Sequence, residues 1–206
     1  MKLSEKTLEL NICAQVHTAV FPRERLIWFG LTQRQEARMG FDTCAKLGGR
    51  LLLFQFKASN HRLRSGERKF QLDHDQLLAL RGLAGGAMRS VFYVFPLVGN
   101  TQELRRSTNL LKETWLLDVS GLPTLSAPTK KDGTLRRNRR HNAYVRSHGV
   151  TILSDPFEAP LIQMGQFATN SFPGTDGVTY TGRSSFGRFW DMTTNFSRGA
   201  RGLIVY

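Results

Sequence analysis

Asp42, Gln55 and Lys57 are the residues of this chain whose types and spacing could carry out a reaction. A carboxylate and an amide oxygen are hard donors of the kind that hold Mg²⁺ or Mn²⁺. An ion so held polarises a phosphate and lowers the pKa of a bound water, while a neighbouring ammonium orients the nucleophile or offsets transition-state charge. The chemistry this set suits is phosphodiester hydrolysis. Gln contributes only a neutral oxygen, so a second carboxylate is wanted. Glu36, a little before Asp42 in the chain, is the nearest candidate, and Glu5 and Glu9 are alternatives.

The three residues meet only if the chain between them folds back. Phe41–Lys46 and Arg50–Ala58 read as hairpin strands joined at Gly48-Gly49, where glycines accept the positive φ angles of a tight turn. With Leu47 opposite Arg50, counting outward puts Asp42 opposite Gln55. Facing residues share a sheet face, and Lys57 returns to it because side chains alternate. The second strand is apolar on both faces, Leu51 and Leu53 on one and Leu52, Phe54 and Phe56 on the other, so it belongs inside a sheet. A lysine ending such a strand is costly without a partner, and Asp42 is the expected one.

Other elements must hold the hairpin. Leu3 to about Val20 predicts a helix with Ser4 as N-cap, stopped by Pro22. Arg25–Leu31 reads as a strand or buried connection. Thr32 and Gln35 make a capping-box pattern for a short helical turn reaching Gly40. After the hairpin come a basic loop (His61, Arg62, Arg64, Arg68, Lys69), a helix from Asp73 to about Leu83 and a buried strand over Arg89–Leu97. Asp73 and Asp75 suit the helix start. His74 reads as part of a polar, solvent-facing first turn, with phosphate contact as its functional alternative. His141 and His148 have poor zinc spacing on any regular element. Leu104–Leu111 predicts a helix, Trp115–Val119 a strand and Pro123–Asn138 a basic linker. The element order predicts an α/β sandwich with a mixed sheet.

Twenty-nine Lys and Arg against 16 Asp and Glu give a formal charge of +13, which concentrates polyanions, nucleic acid above all. Lys130, Lys131, Arg136, Arg137, Arg139, Arg140 and Arg146 form the densest run, opposed only by Asp132, and could neutralise several phosphates or simply be a solvated loop. Arg62 and Arg64 are further candidate contacts. Arg183, Arg188, Arg198 and Arg201 interleave with Phe186, Phe189, Trp190 and Phe196, a pattern that fits stacking on unpaired bases or core packing. The apolar runs are too short to span a bilayer. Two cysteines, Cys13 and Cys44, give neither a metal motif nor a disulfide scaffold, and the N-terminus has no signal-peptide core. These features predict a cytoplasmic protein without a membrane partner.

The site residues together resemble the PD-(D/E)XK nuclease superfamily, in the branch whose motif reads Asp…Gln-x-Lys, as in Mrr-like restriction endonucleases. The matching residues are Glu36, Asp42 in Met-Gly-Phe-Asp, and Gln55-Phe-Lys57, followed by the helix and the Val91–Phe95 strand, over roughly the first half of the chain. No Pro precedes Asp42, and Gln stands where Glu is more usual. The resemblance implies a restriction-endonuclease-like αβββαβ core over residues 1–100, completed by a basic C-terminal extension over 101–206 with a basic loop near 130–146. It further implies a Mg²⁺ or Mn²⁺ ion and endonuclease activity, on DNA rather than RNA, often in defence against foreign DNA. Cutting both strands of a duplex favours a homodimer, and a partner subunit of a defence complex is the other assembly. On the residues alone, a non-catalytic nucleic-acid-binding module and a structural subunit with an acidic partner also remain open.

Overall fold

The computed structural model of the chain describes residues 1–21, 23, 25–47, 50–85, 90–129, 132–134, 138–153, 156–169 and 204–205. Ser4 opens helix α1 (Glu5–Val20), its hydroxyl accepting the Thr7 N–H at 3.0 Å. Leu8, Ile12, Val16 and Val20 form the helix's buried stripe at a spacing of one turn. Strand β1 (Leu26–Gly30) leads to α2 (Gln33–Met39), where Thr32 and Gln35 complete both halves of the capping box. Gly40 ends α2 in the left-handed region, at φ +79°. Strands β2 (Thr43–Leu47) and β3 (Arg50–Phe56) then pair with Leu47 opposite Arg50 and Thr43 opposite Phe54, the register the turn glycines imply.

The remaining elements are β4 (Arg68–Asp73), α3 (His74–Gly85), β5 (Val91–Pro96), α4 (Thr101–Arg106), β6 (Thr114–Asp118), β7 (Arg140–Arg146), β8 (Gly149–Ile152), β9 (Phe157–Pro160), β10 (Ile162–Gln163), α5 (Met164–Thr169) and β11 (Ile204–Val205). The main sheet runs β10-β6-β5-β3-β2-β1-β11 and is mixed: β3 and β5 are parallel, and the other neighbours antiparallel. A second, antiparallel sheet runs β4-β7-β8-β9. One face of the main sheet packs Leu52, Phe54 and Phe56 against α1 and α5. The other packs Leu53, Tyr93 and Phe95 against α3 and the inner face of the second sheet, including Phe70, Leu72, Ala143 and Val145. The chain is thus a mixed α/β fold whose β3 is covered on both faces.

The sequence reading needs four corrections. Residues 68–73 are a strand, not part of a basic loop; Arg68 occupies an inward position of β4, buried, with Nη2 bonded to Glu103 at 2.9 Å. The basic run does not end as a loop, because Arg140–Arg146 is β7, inside the second sheet. His74 is not a solvent-facing helix start: it is buried, and its Nδ1 lies 3.0 Å from Nε2 of the fully buried His141. The fourth helix covers Thr101–Arg106 in place of Leu104–Leu111. The Arg–aromatic tail over 183–201 lies outside the described residues, as do Lys130, Lys131, Arg136 and Arg137.

Candidate active site

β3 changes character as it ends. Its α1-facing residues stay apolar to Phe56, whereas on the α3-facing side Leu53 gives way to Gln55 and Lys57. The β3–β5 ladder continues past the strand end, Lys57 N–H donating to Val94 O at 3.0 Å, whereas the β2–β3 register slips: Asp42 N–H donates at 3.0 Å to the carbonyl of Phe54, the residue already opposite Thr43. Asp42 meets Gln55 through its side chain, and Lys57 follows Gln55 on the same face of β3.

The side chains form a continuous chain of hydrogen bonds. Asp42 Oδ2 accepts from Phe56 N–H at 2.6 Å and from Gln55 Nε2 at 2.8 Å. Gln55 Nε2 gives its other hydrogen to Phe56 O at 2.9 Å. Gln55 Oε1 accepts from Gln76 Nε2 at 2.9 Å, and Gln76 Oε1 accepts from Lys57 Nζ at 2.7 Å. The expected Asp42–Lys57 contact is thus replaced by a bridge of two amides. Gln76 stands in the first turn of α3, where Asp73 Oδ1 caps its N–H at 3.1 Å. Gly40 lets the lead-in to Asp42 lie against this turn, since a Cβ there would come within 3.2 Å of Ala79 Cβ and 3.4 Å of Gln76 O.

Burial sets the electrostatics. It pushes the Asp42 carboxyl up to about 7, against the Phe56 N–H; Glu5 adds to the rise and Lys57 opposes it. Burial also lowers the Lys57 ammonium below the ordinary lysine value, with Glu5, Asp42 and Asp73 pulling the other way. Glu36 is raised by burial and by Glu9 and Glu5, with Lys6 opposing. Lys6 bonds Glu9 at 2.9 Å and is also under the influence of Glu36 and Asp42. Glu9 is buried on α1, and Glu5 accepts Ala58 N–H at 3.3 Å. Glu5 and Glu9 thus act on Asp42 directly, whereas Glu36 is tied to it only through shared neighbours, Lys6, Glu5 and Glu9. Even so, among the described residues no three His, Cys, Asp or Glu side chains group closely enough to hold a metal ion. The hard oxygens that do converge are Asp42 Oδ2 and Phe56 O, both occupied by the Gln55 amide. With Gln55 turned so that Oε1 faces them, they make a three-oxygen set compatible with Mg²⁺ or Mn²⁺.

Glu5, Lys57, His61, Lys69, Asp73 and Arg140 line a cleft of about 470 Å³ beside this set. Lys69 comes from β4 and Arg140 from β7, where it donates to Gln71 Oε1 at 3.0 Å. Arg139 pairs with Asp75 at 2.7 Å. Arg62 and Arg64 are exposed on the connection before β4. The sequence reading missed Gln76 and the place of Lys69 at the cleft. It also missed Tyr93, which sits beside Gln55 in the β3–β5 register with a buried hydroxyl that has no hydrogen-bond partner among the described residues. Only the Asp73 cap, which fixes where α3 begins, could have pointed to Gln76. No family model, curated protein or solved structure matches the chain.

Proposed function

We propose that the chain is a divalent-cation-dependent phosphodiesterase acting on nucleic acid, a DNA endonuclease of the restriction-endonuclease-like type serving defence. The observation that carries this reading is the convergence of Asp42 Oδ2, Phe56 O and the Gln55 amide at the end of a doubly buried strand, with the Lys57 ammonium on the same face. The β1-β2-β3 meander, the crossover through α3 to a parallel β5 and the covering α1 agree with an αβββαβ core. Asp42, Phe56 O and Gln55 Oε1 would hold Mg²⁺ or Mn²⁺, which supplies Lewis-acid charge to the phosphate and acidifies water. Lys57 would neutralise charge developing on the phosphate oxygens as water adds to phosphorus and the P–O ester bond breaks. Lys69 and Arg140 would hold flanking phosphates along the cleft.

Among the described residues no helix is long and apolar enough to cross a membrane; a nucleic-acid partner met in the cytoplasm is part of the same proposal. A homodimer, or a partner subunit of a defence complex, would bring a second strand to a second site. One observation favours a second reading: a carboxylate pushed up to about 7 by burial suits a binding module whose metal site has lapsed. The test is incubation of the purified chain with plasmid DNA, linear DNA and RNA in Mg²⁺, Mn²⁺ or EDTA. Metal-dependent nicking that Asp42→Ala abolishes supports the enzyme. Salt-sensitive binding without cleavage of any substrate supports the module.

A further inference from the structure

The orientation of the two site amides is dictated from one end. Gln55 meets two acceptors, Asp42 Oδ2 and Phe56 O, so its amino group must face them and its oxygen must face Gln76. Gln76 must then offer its amino group to Gln55, which leaves its oxygen for Lys57. Each orientation forces the next.

A cation beside Asp42 reverses that logic. It repels the Gln55 amino group and attracts the Gln55 oxygen, so the amide turns over. Gln55 then presents N–H to Gln76, and Gln76 can accept it only by turning too. Its own amino group would then face the Lys57 ammonium, donor against donor, and Lys57 has to leave. From the rotated Gln76, Lys57 moves toward the cleft it already lines, where Glu5 and Asp73 attract it. We infer that Gln55 and Gln76 are a two-amide relay that couples cation entry beside Asp42 to release of the Lys57 ammonium into the cleft. Gln76 is then a positioning residue, acting on phosphate only through Lys57. The inference rests on the metal-binding reading above.

The test is a Mg²⁺ titration of the ¹³C,¹⁵N-labelled full chain by NMR, following the Gln55 and Gln76 side-chain amides and the Lys57 Cε–Hε signal. In the wild type all three are expected to move along one saturation curve. Gln76→Met keeps the side chain's length but has no amide, so Gln55 still responds, whereas Lys57 sits at its Mg²⁺-loaded position from the start. Gln76→Glu offers only acceptors and can bond both Lys57 and a pre-turned Gln55. It is expected to bind Mg²⁺ about tenfold more tightly, with Lys57 kept at its metal-free position. If Gln55 moves but Lys57 does not, or if Lys57 moves equally in Gln76→Met, the relay is wrong while the metal site stands. If no signal responds to Mg²⁺, the metal reading falls and the relay with it.

Discussion

The two faces of β3 carry the same backbone to different ends. Toward α1 lie Leu52, Phe54 and Phe56, all buried, with Phe54 within ring-contact range of Trp28, Phe92 and Phe167. Toward α3 lie Leu53, Gln55 and then Lys57, with an amide and an ammonium in positions that could hold aliphatic side chains. The first face follows what burial rewards. The second buries groups whose hydration must be replaced by fixed hydrogen bonds, and for Asp42 the replacement is incomplete, since burial still dominates its ionisation. One strand thus carries a fully apolar face and a face of buried polar groups, and the burial gained on the first offsets the cost of the second.

The largest effect should come from breaking the apolar face. Phe54→Ala is expected to cost about 3–5 kcal/mol in urea unfolding, the range for deleting a fully buried ring. A loss below about 1 kcal/mol would mean the two faces do not differ in the way described.

Asp42→Asn probes the other face and should act in the opposite direction. The folded state holds the Asp42 proton more tightly than the unfolded chain, so this group's contribution declines as pH rises from about 4 to about 7. The neutral variant lacks that decline. At pH 8 it should be more stable than the wild type by on the order of 2–4 kcal/mol, with the gap closing toward pH 4. Equal unfolding midpoints at pH 5 and pH 8 for both proteins would contradict a costly carboxylate. The same variant should lose the metal-dependent cleavage proposed above.

Gly40→Ala should be intermediate. It places a side chain at a positive φ and against α3 at Gln76, and is expected to cost about 1–2 kcal/mol. A neutral outcome would show that the lead-in to Asp42 can shift without disturbing the amide bridge. The smallest change in stability, within about 0.5 kcal/mol, is expected for Lys69→Ala and Arg140→Ala. Each should instead lower the slope of log affinity for DNA against log salt by about one. An unchanged slope would remove that residue from the phosphate path.

Much of this was legible in the sequence because its signals are local. Ser4 capping Thr7, the Thr32–Gln35 box and the pairing register of β2 and β3 all follow from near neighbours. β4 was hidden because Arg68 takes an inward position that would ordinarily be apolar, so the alternation with Phe70 and Leu72 is lost among cations. β7 was hidden likewise: His141, Ala143 and Val145 point inward from a run read for its charge. For Gln76 the Asp73 cap marks only where α3 begins; nothing in residue spacing says that this first turn lies against the end of β3. The His74–His141 contact joins residues far apart in the chain and has no local signature.

The attachment of α3 has a consequence for when the site comes into being. Asp73 pairs with Arg140, and His74 N–H donates to Arg139 O at 2.8 Å, so the start of α3 is anchored to residues made much later. On a ribosome, β1, β2, β3, β5 and β6 all emerge before β7, and the long-range pairing of β4 must wait for it. Until then the Asp73 cap and the Gln76 side chain lack their anchor, although the Asp42–Gln55 hairpin can already form. A nascent chain paused before Arg140 would carry the motif and lack the clamp. On the nuclease reading proposed above, that order would delay completion of the site until synthesis is well advanced.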